Sequence, residues 1–162
     1  GMYTFELGDA NNRTPVAARF SYVWEKVGNE WKIGHHHSSV RPPQPEGSSA
    51  PAQEAPAAKA APSASAKKAN PTPEAMLPVA RDNFKRWNDA LQTKNPKTVA
   101  SLYSNSELSF LPTVSPEHIK KIDSTQEYFE AFVLKNPFGT ITDDSVAVVD
   151  NGNGYLHSGM YT

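Results

Sequence analysis

The chain has 162 residues, enough for one ordinary hydrophobic core, and its 16 basic and 17 acidic residues leave a formal net charge of −1, so it lacks the basic footprint of a nucleic-acid binder. No cysteine is present, which excludes disulfides, thiolate metal sites and thiol catalysis. No apolar run approaches membrane-spanning length and the first residues lack the basic and apolar regions of a signal peptide, so neither membrane nor nucleic acid is expected as a partner.

In chain order, Met2 to Leu7 sets Tyr3, Phe5 and Leu7 against Thr4 and Glu6, a strand alternation. Gly8 to Arg13 is rich in turn residues. Thr14 to Lys26 and Glu30 to Val40 are rich in Phe, Tyr, Val and Trp and flank Val27-Gly28-Asn29-Glu30, which predicts an antiparallel hairpin. Residues 1–41 thus read as a three-stranded meander. Alternation with period two would set Trp31, Ile33, His35 and His37 on one face of the last strand and turn His36 to the opposite surface.

Nine of the 14 prolines fall between Pro42 and Pro78, and no Phe, Tyr or Trp occurs between Trp31 and Phe84. Residues 42–73 therefore read as a disordered Ala/Pro-rich linker, spanning roughly 30 Å as a flexible chain.

Met76, Ala80, Phe84, Trp87 and Leu91 recur at helical spacing, with Thr72-Pro73 as cap and first-turn proline. Asn95-Pro96 opens a short helix carrying Val99, Leu102 and Tyr103, and Glu107 to Leu111 is a strand stopped by Pro112. Ser124-Thr125-Gln126-Glu127 reads as a capping box for a helix that buries Tyr128, Phe129, Phe132 and Val133 and ends at Asn136-Pro137. Strands over Thr140 to Val149 and Tyr155 to Thr162 flank the turn around Asn151-Gly152-Asn153-Gly154. Residues 74–162 therefore supply the helices and first strands of the same domain.

The two ends carry one sequence: Gly1-Met2-Tyr3-Thr4 and Gly159-Met160-Tyr161-Thr162. Joined at that repeat, Tyr155 to Ser158 runs into Gly1 to Leu7 as one strand. A circular permutant, or an excerpt from a tandem array, accounts for this.

Taken as 77–162 followed by 1–41, the order is helix, helix, strand, helix and a long antiparallel meander. The chain resembles the SnoaL-like, or nuclear transport factor 2-like, cone-shaped α+β proteins. Within them it is most similar to the association domain of calcium/calmodulin-dependent protein kinase type II and its bacterial SgcJ/EcaC-like relatives. The residues that carry this are Tyr128-Phe129-Glu130 before Lys135-Asn136-Pro137, Gly159-Met160-Tyr161-Thr162, Arg13-Thr14, Val23-Trp24, and Gly28-Asn29-Glu30-Trp31 leading into His35-His36-His37-Ser38-Ser39.

The resemblance implies an α+β fold with a curved antiparallel sheet wrapped around three helices, here permuted or domain-swapped. It also implies a pocket between helix and sheet, and assembly into dimers or larger rings. Arg13, His35 and His37 carry over as residues lining a polar pocket for a small carboxylate or polar organic molecule. Tyr103, Tyr128 and Trp87 join them as candidate ligand contacts, because buried tyrosine hydroxyls need partners, although such aromatics more often serve the core.

Chelation of a metal by His35 and His37 would need a third ligand, His157 or Asp9, and no spacing points to one; no metal and no cofactor are expected. No carboxylate stands inside an apolar strand, so no catalytic residue is named. A SnoaL-like isomerase, cyclase or hydrolase with a pocket histidine as base is the alternative to a non-catalytic binding and oligomerising domain, and a bare assembly module is the third reading. The expected partners are a small ligand and a second copy of the chain, with swapped halves. Ala/Pro/Lys-rich linkers of this kind lean towards an exported, bacterial envelope protein without fixing the compartment.

Overall fold

The structure, a computed structural model, describes residues 2–7, 14–41, 70–149 and 152–161. The expected turn at 8–13, with Arg13, and residues 42–69 of the linker expected over 42–73 lie outside the described residues, whereas Pro73 at the end of that span already belongs to a helix. Six strands form one sheet: β1 (Met2–Leu7), β2 (Thr14–Val27), β3 (Glu30–Val40), β4 (Ser109–Leu111), β5 (Ile141–Val149) and β6 (Gly154–Tyr161), in the spatial order β4-β3-β2-β1-β6-β5. Three helices, α1 (Pro73–Gln92), α2 (Pro96–Ala100) and α3 (Ile122–Phe132), pack on one face of that curved sheet.

Helix α1 forms where the spacing of its apolar residues places it. Thr72 caps its N-terminus by accepting the Ala75 N–H, with Pro73 in the first turn. Met76, Ala80, Phe84, Trp87 and Leu91 are all buried against the sheet, each large side chain contributing about 1.5–3 kcal/mol by leaving water. From β2 the same core takes Phe20, Tyr22 and Trp24; from β6 it takes Tyr155, His157 and Tyr161. Asn95 caps α2, but that helix ends at Ala100, so Leu102 and Tyr103 stand in the connection after it.

The sheet is mostly antiparallel, with two short parallel pairings. β3 runs parallel to β4 through His35–Ser109, His36–Phe110 and His37–Leu111. β1 runs parallel to β6 through Met2–Met160 and Tyr3–Tyr161. Both of these strands pair antiparallel with β2: β6 from Gly154 opposite Glu25 to Tyr161 opposite Ala18, and β1 from Tyr3 opposite Ala18 to Leu7 opposite Thr14. β1 therefore takes up the line of β6 along β2, and Tyr3 and Tyr161 meet at the same partner.

Two expectations about local structure are corrected. The strict alternation along β3 fails: Ile33 and His36, three residues apart, are both buried, His35 is half-buried and His37 is exposed. The break falls at Gly34, where an added Cβ would overlap the Glu25 carboxylate. Before it, Ile33 bonds through N–H and C=O to Leu102 and Ser104; after it, β4 becomes the partner. The four residues expected on one face are thus split, and His36 belongs to the core rather than to the opposite surface. The second correction concerns α3, which starts at Ile122 with Lys121 as an N-cap that makes no side-chain bond. Ser124 to Glu127 therefore lie inside the helix, and the Thr125 hydroxyl donates to the Lys121 carbonyl instead of capping.

Candidate functional site

His36 is 2 % exposed and sits in a stack of rings. Its imidazole stacks on Tyr22 at 4.2 Å and on Phe110 at 4.7 Å, with Trp87 edge-on at 5.6 Å. Its Nδ1 lies 2.8 Å from the Tyr103 hydroxyl, and Trp87 Nε1 donates to the same oxygen at 3.1 Å.

Hydrogen-bond accounting assigns the tautomer. An indole N–H only donates, so Tyr103 accepts from Trp87 and keeps one proton to give. The acceptor within reach is His36 Nδ1, which leaves the ring's own proton on Nε2. Burial, with His35 and His37 nearby, holds His36 well below its ordinary pKa of 6.5, so the ring is neutral. Burial also pushes the Tyr103 and Tyr128 hydroxyls well up, so both stay protonated.

His36 Nε2 is buried and has no hydrogen-bond partner among the described residues. His36 lines a cavity between α1, α3 and β4 together with Trp87, Phe110, Pro112, Tyr128, Phe129 and Phe132, with Ser38 and Thr113 at its polar side. The Ser38 and Thr113 hydroxyls are bonded to each other. The cavity is about 10 Å³, close to the least that holds one water molecule. Its lining joins an imidazole and two hydroxyls to an aromatic box, suited to an acceptor atom on a compact apolar body.

Of the residues singled out in the sequence, Trp87, Tyr103 and Tyr128 converge here, and Arg13 lies outside the described residues. His35 faces a groove on the other side of the sheet with Glu25, Glu107 and Lys120. Burial, then His37 and His118, lowers its pKa. Burial and Glu107 raise that of Glu25. Among the described residues no group of three or more His, Cys, Asp or Glu is placed to hold a metal ion. The residue that sequence reasoning passed over is His36, and the signal that could have found it is the flexible parity of a strand carrying a glycine.

A second buried polar group centres on Asp144 in β5. The Asp144 side chain, 1 % exposed, accepts from Arg81 Nε at 3.0 Å and Nη2 at 2.6 Å, and lies 3.0 Å from Nε2 of the fully buried His157. The Arg81 bonds hold the Asp144 carboxyl below its usual range. Burial outweighs that carboxylate at His157, whose pKa is lowered. The neutral ring therefore donates from Nε2. This group ties α1 to β5 and β6.

Residues 81–153 match the calcium/calmodulin dependent protein kinase II association domain. That span runs from the middle of α1 through α3 and β5 to the β5–β6 turn, so the meander lies outside it. The α+β fold, a curved sheet with three helices, is consistent with the nuclear transport factor 2-like kind that the resemblance implied. A crystal structure described as an association domain of this kinase type, from Xanthomonas campestris, is similar at 39 % identity over 44 % of this chain and 51 % of that one, with a TM-score of 0.43. The chain thus spans about half the length of that relative. No curated protein matches the chain.

Proposed function

We propose that this chain is a non-catalytic, self-associating domain of the association-domain type, whose cavity beneath β3 takes a small carboxylate or polar organic molecule on His36 Nε2. The observation that carries the reading is that Nε2 is a buried donor with no partner among the described residues. Leaving such a group unbonded costs about 1–3 kcal/mol, which an acceptor on a ligand recovers. At about 10 Å³ the cavity admits no ligand of that size, so its lining must move. The half-buried Tyr128 on α3 is the movable side. Arg13, carried over by the resemblance, is the proposed charge partner for a carboxylate. Self-association is supported by the association-domain match over 81–153, and the permuted order of the two halves by the way β1 continues β6 along β2.

Calorimetric titration with formate, acetate, butyrate and benzoate tests the cavity. Binding by the parent chain, lost in His36→Phe and strengthened in Tyr128→Ala, is expected. Equal binding by the parent and His36→Phe would remove His36 from the site. Light scattering tests self-association, and a monomer at high concentration overturns that part.

A further inference from the structure

The place on β2 opposite Ala18 has two claimants. Tyr161 of β6 and Tyr3 of β1 both register against Ala18, and the two strands run parallel to each other there, Met2 beside Met160 and Tyr3 beside Tyr161. On its other edge β2 already holds β3. One edge of a strand offers a single row of donors and acceptors, so the two cannot both complete the ladder at Ala18.

The claimants are also chemically the same, Gly-Met-Tyr-Thr in each case, and the place is selective for that sequence. Tyr161 is fully buried, its ring 5.0 Å from Phe20 and 5.4 Å from Phe84. Two residues earlier, a Cβ at Gly159 would come within 2.5 Å of the Asp143 carbonyl oxygen and 2.6 Å of the Phe20 ring. A glycine followed two residues later by tyrosine is thus what fits, and both stretches provide it. Because their registers coincide, replacing one by the other shifts no side chain to the wrong face.

We propose that the β2 segment around Ala18 is a strand-exchange site that accepts either residues 1–4 or residues 159–162, from its own chain or, when two copies trade these stretches reciprocally, from a second copy of this chain. An unpaired strand end is a template for another chain, and exchange of identical elements between copies is a low-cost route to dimers. The cavity under β3 plays no part in this, so failure here leaves that reading standing.

The test uses the 162-residue chain with valine placed at each glycine in turn. Gly159→Val excludes residues 159–162 from the place, Gly1→Val excludes residues 1–4, and the double variant excludes both. Each single variant should shift the urea midpoint by less than about half the shift of the double. A Gly159→Val shift as large as that of the double variant, with Gly1→Val silent, overturns the exchange. Mixing donor- and acceptor-labelled copies supplies the second measurement. Energy transfer should develop in the parent and fall at least tenfold in rate in Gly1→Val, which has no spare stretch to present. No transfer in the parent, or the same rate in both, overturns the pairing with a second copy.

Discussion

His36 Nδ1 lies 2.8 Å from the Tyr103 hydroxyl, and this one bond decides which ring nitrogen is left without a partner among the described residues. Removing the hydroxyl by Tyr103→Phe strands two buried groups at once, His36 Nδ1 and Trp87 Nε1. The expected cost is about 2–6 kcal/mol of stability, since each of the two unsatisfied buried groups costs about 1–3 kcal/mol. Urea denaturation of the variant beside the parent measures it, and a loss below about 1 kcal/mol would mean the two groups find water instead.

Stability should fall on mild acidification. Burial depresses the folded-state pKa of His36, His157 and, less completely, His35 below the ordinary 6.5. The unfolded chain therefore takes up protons that the folded chain refuses. Stability is full above about pH 6.5 and is lost as pH falls below it, by at most about 1.4 kcal/mol per pH unit for each histidine. Urea midpoints measured from pH 7.5 to 5 should show this slope, and His36→Phe should reduce it. A flat profile over that range contradicts the neutral buried rings.

Asp144→Ala is expected to cost about 2–3 kcal/mol, because it removes a buried acceptor of charged bonds and leaves the His157 Nε2 proton unpaired. Arg81→Met should cost less, under about 1 kcal/mol, since the Arg81 side chain is 57 % exposed and its attraction is screened. Thermal unfolding of both variants gives the ranking, and an inverted order would refute the assignment of Asp144 as the hub of that group.

Asn88 holds the segment entering β5. Its Nδ2 donates to the Gly139 carbonyl at 3.2 Å and its Oδ1 accepts the Gly139 N–H at 3.0 Å. Asn88→Leu keeps the volume and breaks both, so a loss of about 2–3 kcal/mol is expected. Hydrogen exchange at Gly139 should accelerate in the same variant; unchanged protection there would show that another acceptor holds the amide.

The amino-acid sequence by itself determined most of the elements and the α+β class. Spacing of apolar residues set the buried stripe of α1 through Phe84, Trp87 and Leu91, Thr72-Pro73 and Asn95-Pro96 marked two helix starts, and the glycine turns set two hairpins. Local patterns suffice because helices and hairpins are closed by neighbours a few residues away. The start of α3 at Ile122 was out of reach, because its first turn depends on packing rather than on a capping side chain.

The cavity needed the tertiary structure. Whether His35 or His36 faces inward turns on Gly34 fitting against Glu25 and on Tyr103, 67 residues further along the chain, offering its hydroxyl. The same holds for Asp144, whose partners Arg81 and His157 come from α1 and β6. A side chain's neighbours across a sheet are fixed by register and by small breaks in the pleat, and those are settled only when the strands meet.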